Sequence, residues 1–128
     1  MAFSSKKLNR IRAFFSSEIP FRYLFSKHVR FPHAVGVVVS NEAKIGKNVL
    51  IFSCVTIGGK ETGNNQGWPT IEDDVTIFTG AKIIGGITIG KGSVIGANAV
   101  ITKNIPPNSI AYTKGELVVR SKNEKEIQ

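Results

Sequence analysis

Isoleucines recur every six residues along this chain. Ile45, Ile51 and Ile57 keep the interval, a step of fourteen follows, and Ile71, Ile77, Ile83, Ile89, Ile95 and Ile101 resume it, with Pro107 continuing the count. Two residues before each, Ile71 excepted, stands a second, usually smaller residue: Ala43, Val49, Val55, Val75, Ala81, Ile87, Ser93, Ala99 and Ile105. Residues two apart on a strand share a face. Each unit is therefore a short strand with two inward side chains, followed by a bend. Gly46, Gly58, Gly90 and Gly96 follow the large aliphatic, where the bend is expected to need a permissive backbone. A period of six fits neither the roughly 3.6-residue period of a helix nor the plain alternation of a long strand. It is the period of a parallel β-helix, in which three units close one triangular coil.

A chain of 128 residues, 41% of them hydrophobic, is one domain that can bury a sizeable core. Its one cysteine, Cys54, excludes an intrachain disulfide and points to a reducing, cytoplasmic setting. The burial habit of free cysteine makes Cys54 a small core filler rather than a reactive thiol. No apolar run approaches the roughly 20 residues of a membrane span, and the N-terminus lacks the pattern of a secretory leader. The net charge of +8 is uneven. Residues 1–33 hold seven Lys or Arg against one Glu, whereas residues 34–119 hold seven against six acidic residues. A nearly neutral repeat body without aromatic stacking motifs argues against nucleic acid as a partner. The basic N-terminus is expected to meet a partner, a neighbouring subunit or anionic lipid.

Residues 1–17 are expected to form a short helix, with Leu8, Ile11 and Phe14 or Phe15 on one face and Lys6, Lys7, Arg10 and Arg12 around the rest. Such a helix caps the open end of a solenoid; weak contact with a membrane surface is the alternative. The β-helix is expected over residues 18–110. It begins with a degenerate repeat, Ile19, Phe25 and Phe31, after which Val39 comes eight residues on. This slip of two residues contains His33, and departures from a repeat are where loops and function collect. The fourteen-residue step inserts eight residues as a polar loop, 58–69, rich in Gly and Asn. Beyond it the units are expected to run unbroken to Pro107, where Pro106-Pro107 ends the ladder. Residues 111–128 form a C-terminal extension.

Only two histidines are present, His28 and His33, with one remote cysteine. That is a poor set for a metal, so no metal site is expected. The chemistry left is general-base catalysis: a positioned histidine removes a proton from a hydroxyl. A carboxylate on its other nitrogen fixes the tautomer and stabilises the imidazolium. Glu18 lies fifteen residues before His33, close to one coil, and is expected to stack near it.

The repeats, the segment His33-Ala34-Val35-Gly36-Val37-Val38-Val39 and the run Val55-Thr56-Ile57-Gly58-Gly59 resemble the serine acetyltransferase branch of the hexapeptide acyltransferases. The resemblance covers about residues 18–110. It implies a left-handed parallel β-helix, against the usual right-handed crossover preference. It also implies a homotrimer, with acetyl-CoA lying in the groove between neighbouring prisms. His33 matches the family's catalytic histidine and Glu18 the acid that orients it. For the coenzyme the resemblance points to Gly59 and Lys60 at the loop start and to Thr79, Gly80 and Ala97 on successive coils. Lys103 is the expected contact for a phosphate.

The chain also departs from that pattern. Pro32 stands where the family has an Asp before the histidine, and Gly67-Trp68 stands where it has Arg-His. Those polar groups hold the amino acid, and an unpaired buried charge is costly. Trp68 instead offers a flat apolar face suited to a sugar ring. Thr113-Lys114-Gly115-Glu116 replaces the family's Gly-x-Pro-Ala stretch near the adenine end of the coenzyme. The expectation from these departures is an acetyl-CoA-dependent O-acetyltransferase acting on a saccharide hydroxyl, as in surface polysaccharide assembly. Serine O-acetylation, a step of cysteine biosynthesis, is the alternative; a non-catalytic β-helical scaffold is a third reading.

Overall fold

The computed structural model describes residues 16–115 and 117–121. The helix expected over residues 1–17, with its capping or membrane role, lies almost wholly outside the described residues. The rest is a left-handed parallel β-helix of very short strands. A helical turn, α1 (Phe21–Leu24), precedes β1 (Val29–Arg30), β2 (Val38–Val39), β3 (Lys44–Ile45) and β4 (Val49–Ile51). Then come β5 (Thr56–Gly58), β6 (Thr70–Ile71), β7 (Thr76–Ile77) and β8 (Lys82–Ile84). The last are β9 (Thr88–Ile89), β10 (Val94–Ile95), β11 (Val100–Ile101) and β12 (Ile110–Ala111).

Every third strand stacks on the same face. Sheet A contains β2, β5, β8 and β11; sheet B contains β1, β4, β7, β10 and β12; sheet C contains β3, β6 and β9. All pairings are parallel. A unit this short cannot bury its apolar face alone, so stacking neighbours supplies the core. Ile51, Ile57, Ile77, Ile83, Ile89 and Ile95 are wholly buried, as are Val49, Val55, Val75, Ala81 and Ala99 between them. Each buried isoleucine contributes roughly 1.5–3 kcal/mol. The one buried polar residue among those described, Ser93, is satisfied: its hydroxyl donates to the Pro106 carbonyl at 2.9 Å and accepts the Ser109 N–H at 3.1 Å.

The register shows where coils depart from three units. Val38 pairs with Thr56 and Thr76 with Val94, an interval of eighteen. Val29 pairs with Val49, an interval of twenty, because the first coil carries the two extra residues around His33. Lys44 pairs with Thr70, an interval of twenty-six, because loop 58–69 adds eight.

Three expectations are corrected here. First, the last coil is two residues short: Ile105 bridges Ile89, and Ile95 pairs with Ala111. Ile105, not Pro107, takes the large inward position, and the ladder continues past Pro106-Pro107 to β12. The prolines are accommodated because they lie against Gly90, where a Cβ would come within 2.7 Å of Pro106 and Pro107 backbone atoms.

Second, the left-handed backbone does not fall on Gly46, Gly58, Gly90 and Gly96. It falls on corner residues that precede small inward side chains: Asn48 (φ 55°), Cys54 (58°), Asp74 (61°), Gly80 (77°) and Asn98 (58°). Short polar side chains tolerate this conformation. Cys54 is therefore an exposed corner residue and not a core filler.

Third, Phe25, on the six-residue interval, is exposed; α1 occupies the third side of the first coil, with Tyr23 and Leu24 packed on the core. The Tyr23 hydroxyl donates to the Ala43 carbonyl at 2.7 Å and accepts the Ile45 N–H at 3.1 Å. A side chain thus satisfies the free edge of sheet C. Arg22 adds hydrogen bonds to Asn41 and to the Ala43 carbonyl.

Candidate functional site

The chain turns from sheet B to sheet A at one corner of the prism, and successive corners stack. The Cys54 N–H donates to the Val35 carbonyl at 3.0 Å, Gly80 N–H to Ser53 at 3.0 Å, and Asn98 N–H to Thr79 at 2.9 Å. By Val35 the eighteen-residue register is already established, so the two extra residues lie between Phe31 and Val35. His33, in the sequence Phe31-Pro32-His33-Ala34, stands on this bulge and is exposed. Pro32 fixes its own φ and removes a ladder donor, which favours an outward bulge over continued pairing.

The same corner carries three of the predicted coenzyme residues, Thr79, Gly80 and Ala97. The Thr79 hydroxyl donates to the Ser53 carbonyl at 2.9 Å and lies 2.9 Å from the Ser53 hydroxyl. At Gly80 a Cβ would collide with the Asn98 side chain, so this position admits only glycine in a left-handed corner. Lys82 draws its ammonium back over the corner, donating to the carbonyls of Cys54 (2.9 Å) and Gly80 (2.8 Å). That places a fixed cation against an otherwise uncharged wall, a role the repeat pattern does not announce.

Glu18 stands on the neighbouring coil, but not over His33. It bridges Val38, with its N–H donating to the Val37 carbonyl at 2.8 Å and its carbonyl accepting the Val39 N–H at 2.7 Å. The twenty-residue first coil moves it along sheet A by the length of the bulge. Among the described residues the Glu18 carboxylate and the His33 imidazole make no hydrogen bond to each other or to other groups.

Gly59, Lys60, Trp68 and Lys103 lie on the next corner, where the chain leaves sheet A for sheet C. The structure therefore divides the predicted coenzyme residues between two edges of one prism face. Loop 58–69 is ordered by pairing. Lys60 and Gly67 exchange two backbone hydrogen bonds of 2.9 and 2.8 Å, and the Asn65 side-chain amide donates to the Thr102 carbonyl at 3.1 Å. The loop then settles on Gly85 and Gly86, where a Cβ would run into the carbonyls of Asn65 and Gln66. The Trp68 indole packs in front of Gly59, so part of the ring is used within the chain. Lys103 lines a cavity of about 260 Å³ at the end of the solenoid, together with Val100, Ile105, Ile110, Tyr112 and Thr113.

One column of residues escapes the repeat pattern. Immediately after the inward residues Ile51, Ile77, Ile95 and Ala111 come Phe52, Phe78, Gly96 and Tyr112, stacked in that order beside the small-residue wall. The Phe52 and Phe78 rings are parallel within 13°, with centroids 5.2 Å apart. Counting outward positions finds the two phenylalanines, but Tyr112 joins the column only once the short last coil is known.

The architecture is a left-handed prism of six-residue units, with a histidine bulge on one corner and an ordered loop on the next. Residues 69–103 match the model of the bacterial transferase hexapeptide (six repeats), and the chain is similar to serine acetyltransferases. The serine acetyltransferase of Bacillus licheniformis is 33% identical over 134 aligned positions, which cover 98% of this chain and 62% of the relative. Serine acetyltransferase isoform 3 of Entamoeba histolytica, solved with cysteine, superposes with a TM-score of 0.72 at 30% identity, covering 95% of this chain and 44% of that one. A serine acetyltransferase solved in complex with CoA gives 0.60 at 36% identity, covering 66% and 34%. The chain thus spans about six-tenths or less of the length of these relatives.

These relatives overturn the expectation of a saccharide acceptor. That expectation rested on the loss of amino-acid contacts and on a free face of Trp68. The similarity is to serine acetyltransferases, and the indole is packed against Gly59.

Proposed function

We propose that this protein is an acetyl-CoA-dependent O-acetyltransferase whose acceptor is the hydroxyl of serine, the reaction that supplies O-acetylserine for cysteine synthesis. The observation that carries the reading is the similarity to serine acetyltransferases along 98% of the chain, with His33 retained on a bulge of its own. The scaffold reading loses ground to the same similarity.

In this mechanism His33 takes the proton of the acceptor hydroxyl as its oxygen attacks the thioester carbonyl. The tetrahedral oxyanion is stabilised by N–H donors. Collapse breaks the carbon–sulfur bond, and His33 returns the proton to the departing CoA thiolate. Within the chain Glu18 sits beside Val38 and makes no hydrogen bond to His33, so the carboxylate that orients the imidazolium is not assigned to it. The coenzyme follows the wall of Thr79, Gly80 and Ala97, where small side chains let the pantetheine arm approach the backbone. Gly59, Lys60 and Lys103 meet it from the other edge. A groove between neighbouring prisms brings two such edges together, which supports a homotrimer as the working assembly. The reaction belongs where acetyl-CoA is made available, in the cytoplasm.

The test is release of CoA thiol from acetyl-CoA in the presence of L-serine, with His33→Ala beside the wild type. We expect serine-dependent release, reduced about 10²–10⁴-fold by the substitution. Release that ignores serine, or a fully active His33→Ala protein, contradicts the reading.

A further inference from the structure

The chain carries one more repeat unit than its sheets contain. On sheet B, Ile51, Ile77, Ile95 and Ala111 share one inward column, and on sheet A, Ile57, Ile83 and Ile101 share another. Each crossing from the first column to the second takes six residues: Ile51 to Ile57, Ile77 to Ile83, Ile95 to Ile101. The same count from Ala111 arrives at Leu117, with Gly115 two residues earlier, in the column of Val55, Ala81 and Ala99. In the structure Leu117 is 92% exposed, and a Cβ on Gly115 would meet nothing within 4 Å. A large aliphatic at a core position of the repeat is left in solvent.

The seat for it is open. β11 ends sheet A, so its outer edge has no strand on it. The donors of this sheet follow one rule: Val38 N–H to the Val55 carbonyl at 2.9 Å, Thr56 to Ala81 at 3.0 Å and Lys82 to Ala99 at 2.8 Å. Each acceptor is the small inward residue of the next coil. The next donor in the series is the Val100 N–H, which faces the free edge and has no acceptor among the described residues. By the same rule its acceptor is the Gly115 carbonyl. Beside this edge lies the cavity of about 260 Å³, with Val100, Ile101, Ile105 and Ile110 in its lining. An unpaired edge is a template for another strand, and the end of a solenoid needs a cap.

We propose that the segment carrying Gly115 and Leu117 closes onto β11 as a further parallel strand, with Leu117 over Ile101 and the Gly115 carbonyl accepting from the Val100 N–H. Val118 then points outward, since neighbours on a strand face opposite sides. The occupant is this chain's own segment because the first part of the crossing is already in place. Ala111 is paired with Ile95, and six residues reach Leu117, the length the other coils use. A tether that short gives the segment a high effective concentration at the edge. The result is a C-terminal strap. Closed, it fills the cavity and covers the strand edge; open, it offers that edge to a second chain. The inference is independent of the transferase reading.

The test is amide hydrogen exchange, followed by NMR, on the full chain as wild type, Leu117→Asp and Val118→Asp. We expect the Val100 amide to exchange about 10–100-fold more slowly in the wild type and in Val118→Asp than in Leu117→Asp, the range set by docking one leucine side chain. The Ile83 amide, inside sheet A, is expected to stay slow in all three and reports that each variant is folded. A Val100 amide that exchanges in the wild type as fast as in Leu117→Asp overturns the strap. Equal loss of protection in both variants also overturns it, because the segment then has no inward face. Protection that rises with protein concentration overturns it too, since the strand is then supplied by a second copy.

Discussion

The indole of Trp68 stands in the space that a Cβ on Gly59 would occupy, with the indole Cε2 only 2.9 Å from that point. The two residues close the base of loop 58–69 from opposite ends, and Trp68 is the single tryptophan of the chain. Gly59→Ala must therefore displace the indole. We expect a changed tryptophan emission maximum in this variant and a raised KM for acetyl-CoA, measured by fluorescence and thiol release.

Tyr23 supplies one hydroxyl to two backbone groups on the edge of sheet C. Tyr23→Phe keeps the ring on the core and strands the Ala43 carbonyl and the Ile45 N–H. The expected loss is about 1–3 kcal/mol. Chemical denaturation reads the loss, and faster amide exchange at Ile45 localises it.

Ser93 replaces the apolar residue usual at its position because the short last coil brings Pro106 and Ser109 over it. Ser93→Ala leaves the Pro106 carbonyl and the Ser109 N–H without that partner. We expect about 1–2 kcal/mol of destabilisation, although alanine is the residue found at the matching inward positions 81 and 99. Denaturation midpoints unchanged from wild type would contradict this account of the last coil.

Cys54 holds a left-handed backbone at an exposed corner. A non-glycine residue pays roughly 1–2 kcal/mol for that conformation, part of which glycine recovers against its own entropy cost. Cys54→Gly is expected to keep or slightly raise the melting temperature, and the β-branched Cys54→Val to lower it.

Much of this architecture is legible because the constraint is one-dimensional. Each coil repeats the same problem, so Ile51, Ile57, Ile71, Ile77, Ile83, Ile89 and Ile95 announce the buried positions, and the slips before Val39 and Ile71 announce the bulge and the loop. The end of the ladder was not legible. Ile105 and Pro107 each satisfy a periodic count, and what decides between them is whether the backbone fits against Gly90. The glycine positions misled for a related reason: a glycine serves a unit either through its φ or through its lack of a Cβ, and these are indistinguishable in a string of letters.

The sequence by itself determined the β-helix, its inward residues from Val49 to Ile101 and the place of the loop, because these follow from period and residue type. Only the tertiary structure decided which residues share a corner. It put Thr79, Gly80 and Ala97 below His33, moved Glu18 along to Val38, packed Trp68 on Gly59 and aligned Tyr112 with Phe78 across Gly96. Those relationships depend on coil lengths of twenty, twenty-six, eighteen and sixteen residues. The two-residue bulge and the eight-residue loop are absorbed as local excursions, after which the eighteen-residue register resumes.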